Sequence, residues 1–329
     1  MAPVAAIIGL EGTTIGPEER AFLREADPWG AILFGRNVDS PDQLRVLTSD
    51  FREIVGRNAP VLIDQEGGRV QRLRAPHWRE FLPALDQMKR ATNPMRAQWV
   101  RNRLIAHELR EVGVDVNCAP LADLVEAGTH PVLLNRLYGD DVATVVDAAR
   151  AAADGMLAGG VLPVLKHIPG YGRAQVDSHL SLPRIDAAAG ALAERDFAPF
   201  RALSDLPMGM TAHIVFSRID ADRAATVSPS LIAMIRDQIG FDGLLMSDDL
   251  GMEALSGTPA ERTRATLAAG CDVALYGNGT LDDRRAVAEA APVLQGQALT
   301  RAEAALARRH PPEPVDIGAL DDELGALLA

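Results

Sequence analysis

The chain has 329 residues, of which 47% are hydrophobic, and its 33 basic and 45 acidic residues give a net charge of −12. This hydrophobic content can fill a large core and excludes an intrinsically disordered chain, and the length is typical of a barrel of alternating strands and helices. An acidic surface repels phosphate backbones and anionic lipid, so nucleic acids and membranes are not expected partners. No apolar run approaches the roughly 20 residues that a membrane-spanning helix needs.

The first ten residues are apolar but have neither a basic segment nor a small-residue cleavage site. We therefore predict that they form the first strand and are not a signal peptide. The two cysteines, Cys118 and Cys271, lie within apolar segments, and two buried thiols are favoured over one disulfide. These features together predict a cytoplasmic protein.

Eight short apolar runs alternate with longer segments of helical periodicity along the chain. The runs predict strands at 4–9, 31–35, 61–64, 115–119, 161–167, 208–213, 243–248 and 272–276. The periodic segments predict helices at 41–55, 95–112, 141–157, 187–203, 229–239 and 258–269. Ser40 and Ser228, each followed by proline, are the predicted N-caps of two of these helices.

Strands that are apolar throughout are buried on both faces, which is typical of parallel sheets covered by helices. Eight such strands with helical crossovers predict an α/β fold, a closed (β/α)8 barrel that forms a single domain over residues 1–329. The alternative is an open doubly wound sheet, which usually carries a G-x-G-x-x-G motif after its first strand. Residues 9–12 read Gly-Leu-Glu-Gly and do not match that motif.

Polar residues lie at or shortly after the carboxyl ends of most of the apolar runs. They are Arg36, Asn37, Asp64, Gln65, Glu66, Asp123, Lys166, His167, His213, Asp248, Asp249 and Asn278. In a closed barrel the carboxyl ends of the strands meet in one ring, at the face where active sites lie. A barrel mouth therefore accounts for all of these residues together, whereas a purely structural explanation would need a separate reason for each.

Two adjacent carboxylates, Asp248 and Asp249, lie at the carboxyl end of the predicted strand at 243–248. Neighbouring side chains on an extended backbone point to opposite sides, so one carboxylate can face the mouth while the other turns into the wall or caps the next helix. A carboxylate at a strand end is a candidate nucleophile toward an anomeric carbon. A helix N-cap is the alternative, and by itself this pair does not decide between the two.

The segment 165–183 begins with Lys166 and His167 and contains Asp177 and His179, which are separated by one residue. In an extended stretch both side chains lie on one side, so the Asp177 carboxylate can hold one ring nitrogen of His179 and leave the other for proton transfer. An unperturbed histidine has a pKa near 6.5, which suits both proton donation and acceptance. The alternative is a surface loop with incidental polar residues.

A third segment, 61–73, places Asp64 at a strand end, followed by two glycines and by Arg69 and Arg72. Carboxylate and guanidinium groups commonly bind sugar hydroxyls, so this segment is a candidate sugar-binding site. A structural ion pair between Asp64 and one of the arginines is an equally good explanation of the spacing.

Sites for metals and phosphate cofactors are not predicted. The seven histidines are scattered, and the sequence has no H-E-x-x-H or C-x-x-C pair. Lys166 lacks the glycine frame and the following Ser or Thr of a P-loop, and no G-x-S-x-G motif is present. We therefore predict no metal and no cofactor.

At these residues the sequence resembles glycoside hydrolase family 3, and in particular the short bacterial β-N-acetylglucosaminidases of cell-wall recycling. Four segments carry the resemblance: IDQEGGRVQRL at 63–73, KHIPGYGRAQVDSHLSLP at 166–183, MTAHIVF at 210–216 and SDDLGMEAL at 247–255. ILFGRN at 32–37, NRLYGDD at 135–141 and AGCDVALYGN at 269–278 add to it. The match spans nearly the whole chain, and the combination of the D-x-H loop with S-D-D-L is highly specific.

The resemblance implies a (β/α)8 barrel and hydrolysis with retention at the anomeric carbon. The nucleophile falls on Asp248, and the acid/base falls on His179, assisted by Asp177. The implied substrate is a terminal β-linked N-acetylglucosamine on muropeptide fragments that carry anhydro-N-acetylmuramic acid. Sugar-binding roles fall on Asp64, Arg72, Arg136, Lys166 and His167.

One position departs from the family pattern. The family often has histidine between the two glycines of the catalytic loop, where this chain has Tyr171. Among enzymes, the alternatives are a glycoside phosphorylase, in which phosphate replaces water, and a β-hexosidase with another sugar preference. From a different class, the alternative is a sugar-binding barrel without catalysis, against which the complete set of Asp248, His179 and Asp177 argues.

Overall fold

The structure is a computed structural model that describes residues 2–176 and 182–329. Its ten strands are β1 Val4–Gly9, β2 Pro28–Leu33, β3 Val61–Ile63, β4 Val116–Asn117, β5 Leu162–Ile168, β6 Arg184–Ile185, β7 Met208–Thr211, β8 Val215–Phe216, β9 Leu244–Met246 and β10 Ala274–Tyr276. Eight of them form one parallel sheet in the order β10-β1-β2-β3-β4-β5-β7-β9. These eight overlap the eight predicted strands one for one, which confirms the predicted strand set and the first strand.

The two ends of this sheet meet and close a barrel. A parallel bridge joins Met246 of β9 to Val273, and the N–H of Asp272 donates to the carbonyl oxygen of Leu245 at 2.8 Å. The closed (β/α)8 barrel is therefore confirmed, and the open doubly wound sheet is not. The two remaining strands, β6 and β8, pair with each other outside the barrel.

The helices follow the strands as the crossover connections of a parallel barrel require. They are α1 Pro17–Ala26, α2 Pro41–Val55, α3 Ala84–Arg90, α4 Pro94–Glu111, α5 Pro131–Leu134, α6 Val142–Ala158, α7 Ala189–Ala191, α8 Ala198–Ala202, α9 Pro229–Met234, α10 Pro259–Ala269, α11 Leu281–Ala290, α12 Gly296–Ala307 and α13 Ile317–Leu327. Both predicted N-caps are confirmed, since Ser40 accepts from the N–H of Gln43 and Ser228 from that of Leu231. Within the described residues, none of the helices combines the length and the apolar character needed to cross a bilayer.

The continuous helix predicted at 187–203 is wrong. The segment is divided into α7, a π-helical turn at Leu192–Asp196 and α8. Pro199 has no N–H and cannot donate to the carbonyl of Arg195, so the α-helical ladder cannot continue through this point. The predicted helix at 229–239 similarly ends in a π-helical turn at Ile235–Ile239.

The core has two parts because side chains on a strand alternate between its faces. Ile7, Leu62 and Val164 point into the barrel and pack against each other, whereas Ile8 and Ile63 point outward against the helices. Cys118 belongs to the interior cluster, and Cys271 also lies in the core. Both thiols are buried and free, as predicted.

The seam of the barrel is the junction of β9 with the residues before β10, and the buried carboxylate of Asp272 stabilises it. The side chain of Asp272, which is 3% exposed, accepts from the N–H of Leu245 on β9 at 2.8 Å. It also pairs with Arg236 at 2.6 Å and with Arg301 at 3.2 Å. Arg301 makes a second ion pair with Asp242 at 2.6 Å, but that carboxylate is 78% exposed.

We expect Asp272→Asn to lower the free energy of unfolding by about 3–5 kcal/mol, because it leaves two guanidinium groups at the seam without their buried partner. The matched control is Asp242→Asn, which removes the exposed partner of the same arginine and should cost less than about 1 kcal/mol. Urea unfolding of both variants measures the difference. Similar losses in the two variants would contradict the assigned role of Asp272.

Candidate active site

A cavity of about 420 Å³ opens at the carboxyl end of the barrel strands. The residues that line it come from the ends of many different strands. This agrees with the prediction that the polar residues near the strand ends meet at the mouth of the barrel. Six of the residues selected from the sequence line this one cavity: Asp64, Arg72, Arg136, Lys166, His167 and Asp248. The other two residues to which the family resemblance assigns a role, Asp177 and His179, lie outside the described residues.

Lys166 lies between two carboxylates at the centre of this site. The Nζ of Lys166 lies 3.0 Å from Asp64 Oδ1 and 2.6 Å from Glu66 Oε1, and its side chain is only 2% exposed. Burial by itself would lower the pKa of Lys166, but Asp64 and Glu66 raise it above its usual value. Lys166 is therefore a fixed positive charge at the floor of the cavity.

The same neighbours keep both carboxylates ionised. Burial raises the pKa of Asp64, but Lys166 and Arg72 outweigh it and hold the pKa well below its usual range. Burial likewise opposes ionisation of Glu66, yet Arg136 and Lys166 lower its pKa to about 2. Opposite charges within hydrogen-bonding distance thus compensate each other's desolvation.

Glu66 joins two cationic residues of this network, Lys166 and Arg136. Arg136 binds it through two hydrogen bonds, from Nε to Oε2 at 2.9 Å and from Nη2 to Oε1 at 2.8 Å. Arg101, which is itself buried, donates to the main-chain carbonyl of Glu66. Sequence reasoning placed Glu66 at a strand end but assigned it no role. Its spacing of two from Asp64 was the available signal, since alternate residues of an extended segment share a side.

Arg72 binds Asp64 at 3.1 Å, so the ion pair that the spacing allowed is present. Both residues also line the cavity. The structural and the sugar-binding explanations of this pair are therefore compatible. Arg69, the other arginine of the segment, is exposed at the cavity and has no side-chain ion pair within the described chain.

The imidazole of His167 is bound by the buried carboxylate of Asp123. From the sequence, Asp123 was identified only as a polar residue near the end of a strand. The Nδ1 of His167 lies 2.8 Å from Asp123 Oδ2, which also accepts from the main-chain N–H of His167 at 3.2 Å. Asp123 Oδ1 accepts from the N–H of Tyr171 at 2.7 Å. With Nδ1 engaged, Nε2 is the ring nitrogen of His167 that is left for a ligand. Tyr171, the residue that departs from the family pattern, also lines the cavity, with its ring centroid 5.6 Å from that of His167.

The two adjacent carboxylates after β9 have different surroundings. Asp248 lines the cavity, and its Oδ1 accepts from the N–H of Asp249 at 2.8 Å. The Asp249 carboxylate is turned toward the loop after β10, where it accepts from the N–H of Gly277 at 2.9 Å and from Asn278 at 2.9 Å. The next helix, α10, is capped by Thr258, so neither aspartate is its N-cap.

The pKa values of the two carboxylates are shifted in opposite directions. Burial raises the pKa of Asp248, but His213, His167, the N–H of Asp249 and Lys166 outweigh this and leave the pKa below its usual value. Burial raises the pKa of Asp249, and the neighbouring Asp248 charge adds to the increase. The carboxylate that faces the cavity is therefore the more acidic of the pair, and it is an anion at neutral pH.

We expect Glu66→Gln to reduce the dependence of stability on pH. The pKa of Glu66 is about 2 in the folded protein and has an ordinary value of 4.5, so its contribution is complete above about pH 4.5 and is lost as the pH falls from there toward 2. The difference in unfolding free energy between the wild type and Glu66→Gln should therefore be largest near neutral pH and shrink on acidification. Urea unfolding at about pH 7, 5 and 3 measures it.

The surface residue Glu18 on α1 provides a control for this experiment. Glu18→Gln should change the unfolding free energy by less than about 0.5 kcal/mol at each pH. A deficit of the Glu66 variant that grows on acidification would contradict the assigned direction of the pKa shift.

Comparison with known proteins places the chain in a family. Residues 10–308 match the model of the glycosyl hydrolase family 3 N terminal domain. A beta-hexosaminidase from Alkalilimnicola ehrlichii is 40% identical over 281 residues, which cover 83% of this chain and 80% of that protein. A beta-hexosaminidase from Vibrio cholerae serotype O1 is 36% identical over 308 residues, which cover 92% of this chain and 90% of that protein.

Solved structures agree with this placement. The structure of NagZ from Neisseria gonorrhoeae in complex with N-trifluoroacetyl-D-glucosamine matches with a TM-score of 0.88 and 28% identity, covering 100% of this chain and 99% of that one. A glycoside hydrolase family 3 beta-N-acetylglucosaminidase from Paenibacillus matches with a TM-score of 0.82 and 26% identity, covering 98% of this chain and 61% of that one. The barrel, the charged cavity at its mouth and these relatives lead to one conclusion: the chain belongs to glycoside hydrolase family 3 and is a glycoside hydrolase of the β-hexosaminidase type.

Proposed function

We propose that the protein is a retaining exo-β-N-acetylglucosaminidase that removes terminal N-acetylglucosamine from muropeptide fragments, with Asp248 as its nucleophile. The observation that carries the proposal is the ionised Asp248 carboxylate at the wall of a cavity whose floor is lined by Lys166, Asp64 and Arg136. A glycosidase of the retaining class needs an anionic nucleophile beside groups that bind sugar hydroxyls. The Neisseria relative, which binds an N-acylated glucosamine, supports the choice of sugar.

In the first step, the free oxygen of the Asp248 carboxylate attacks the anomeric carbon and forms the glycosyl ester. Protonated His179, assisted by Asp177, donates its proton to the leaving glycosidic oxygen as that bond breaks. In the second step, neutral His179 removes a proton from water, whose oxygen attacks the same carbon and releases Asp248. Two displacements at one carbon restore the original anomeric configuration. Asp177 follows Val176 in the chain, and Val176 lines the cavity, which supports this assignment.

The buried ion network supplies the sugar-binding groups of the proposal. Asp64 and His167 can accept hydrogen bonds from sugar hydroxyls, while Lys166, Arg72 and Arg136 can donate them. Because the network is already paired and buried without sugar, its side chains need little reordering when a sugar binds. Preorganised charges of this kind favour a defined orientation of the anomeric carbon toward Asp248.

An exposed cation at the rim of the cavity favours a substrate whose leaving group is negatively charged. Arg69 is an exposed cation at this rim, and no carboxylate of the described chain pairs with it. An exposed arginine that has no carboxylate partner among residues 2–176 and 182–329 offers a favourable place for a substrate carboxylate. Anhydro-N-acetylmuramic acid carries such a group on its lactyl side chain when no peptide is attached there, and we assign Arg69 to its recognition.

We expect Asp248→Ala to lower kcat/KM on an aryl β-N-acetylglucosaminide by at least about 10⁴-fold, because no other group takes over bond formation. Proton NMR of the first-formed sugar anomer tests retention in the wild type. Glu253→Gln, which alters another cavity-lining carboxylate, is the control and should retain activity. Substantial activity of the Asp248 variant, or an inverted first product, would refute the proposed mechanism.

The assay also separates the alternatives. It compares aryl β-glycosides of N-acetylglucosamine, glucose and N-acetylgalactosamine, each with and without phosphate. The proposal requires phosphate-independent release and a preference for the N-acetylglucosaminyl substrate. A rate that requires phosphate would identify a phosphorylase, a preference for glucose would identify another β-hexosidase, and sugar binding without turnover would identify a non-catalytic barrel.

For the leaving group, we expect Arg69→Ala to raise KM about fivefold for N-acetylglucosaminyl-β-1,4-anhydro-N-acetylmuramic acid, since an exposed ion pair contributes at most about 1 kcal/mol. The matched control is the methyl ester of the same disaccharide, for which wild type and variant should have equal KM values. An identical change in KM for the acid and for the ester would show that Arg69 does not recognise the carboxylate.

A further inference from the structure

We infer that His213 is a positioning residue for Asp248, and that it acts through the main chain of Asp249. This inference rests on the proposed function, in which Asp248 is the nucleophile. His213 lies just after β7, within the MTAHIVF segment, and no role has so far been given to it. It is 1% exposed and belongs to the barrel wall next to the end of β9.

The main-chain and side-chain polar groups of Asp249 are all engaged in hydrogen bonds. Its N–H donates to Asp248 Oδ1 at 2.8 Å, and its carbonyl oxygen lies 3.0 Å from Nε2 of His213. Its carboxylate accepts from the N–H groups of Gly251 and Gly277. The direction of the N–H that binds Asp248 is therefore fixed by contacts on every side of Asp249, and His213 supplies the one to its carbonyl oxygen.

The protonation of His213 follows from these partners. A carbonyl oxygen only accepts hydrogen bonds, so Nε2 must carry the proton in the contact with Asp249. On the other side of the ring, Nδ1 lies 2.8 Å from the hydroxyl oxygen of Thr226. Burial lowers the pKa of His213, so the ring is neutral and Nδ1 accepts a hydrogen bond from Thr226.

Thr226 is the hydrogen-bond partner of Nδ1 in this tautomer. Its hydroxyl is 2.9 Å from that of Thr211 and 3.1 Å from the carbonyl oxygen of Ala212, and its single proton serves one acceptor at a time. Donation to Nδ1 of His213, the shorter contact, is consistent with a neutral ring, and Thr211 then donates to Thr226. Both threonines are fully buried, so water does not replace these hydrogen bonds.

The chemical consequence concerns the two oxygens of Asp248. With Oδ1 bound by the N–H of Asp249, Oδ2 is the oxygen left to attack the anomeric carbon. The chain on either side is anchored independently of His213, because Ser247 accepts from the N–H of Leu275 at 2.9 Å and the N–H of Leu250 donates to the Leu275 carbonyl at 2.8 Å. Loss of the His213 contact therefore leaves the peptide after Asp249 restrained only through the N–H of Leu250, so the main chain of Asp249 loses one of its restraints without unfolding of the strand end.

The test uses two replacements of His213 that differ in which nitrogen they imitate. The amide nitrogen of Gln can reach the position of Nε2 and donate to the Asp249 carbonyl, whereas the amide nitrogen of Asn reaches only the position of Nδ1. On an aryl β-N-acetylglucosaminide, His213→Asn should lower kcat/KM about 100-fold, as expected for a misplaced reacting group, and His213→Gln should stay within about fivefold of the wild type. The inhibition constant of N-acetylglucosamine should change in neither variant, because the sugar-binding network is untouched.

A second pair of variants leaves His213 in place. Thr226→Val removes the hydroxyl that binds Nδ1 of His213 and so loosens the ring that contacts Asp249; it should lower kcat/KM about tenfold, while Thr226→Ser should behave as the wild type. This pair decides the question if a His213 variant fails to fold, which thermal unfolding detects.

The possible outcomes separate this inference from the proposed function. Wild-type kcat/KM in His213→Asn or in Thr226→Val, with Asp248→Ala inactive, would overturn the positioning role and leave the nucleophile in place. Equal losses in folded His213→Asn and His213→Gln would also overturn it, because the Nε2 donor would then not matter. Activity in Asp248→Ala would instead refute the proposed function itself.

Discussion

The hydrogen bonds between β9 and the residues before β10 close the parallel sheet into a cylinder. Closure leaves no strand edge in the barrel and brings the carboxyl ends of eight strands into one ring. Residues from opposite ends of the chain become neighbours there, as when Arg36 donates to Asn278 at 2.6 Å. Without this closure, the polar residues that follow the strands would be spread along the edge of a sheet and would not enclose a cavity.

A ring of polar side chains above an apolar barrel raises an electrostatic problem, since charges at its floor are taken out of water. The structure solves it by pairing, with Lys166 between Asp64 and Glu66 and with Arg136 bound to Glu66 through two hydrogen bonds. Such a network stabilises the fold less than its short distances indicate, because most of the Coulomb energy offsets desolvation. Its main effect is to hold several charged groups in fixed directions before any sugar arrives.

Asp248 represents the opposite case, a carboxylate that has no directly bonded cationic partner in the described chain. Its charge is favoured by the N–H of Asp249 and by the charge of Lys166, which does not pair with it directly. A directly paired carboxylate would be a poor nucleophile, because its oxygens would already be occupied. The carboxylate of the neighbouring Asp249 makes the structural hydrogen bonds of this segment. The carboxylate of Asp248 therefore remains available for the proposed chemistry.

Much of this could be predicted from the sequence alone. The eight apolar runs determined the strand set, because a strand buried on both faces must be apolar at every position, and the residues directly after them included Asp64, Lys166, His167 and Asp248. The tertiary structure decided what local pattern does not encode: that Glu66 rather than Asp64 binds Arg136, that Asp123 holds His167, and that His213 contacts the main chain of Asp249. These contacts join residues 36 to 70 positions apart, and their geometry depends on the stagger and closure of the barrel, which no single segment of the chain contains.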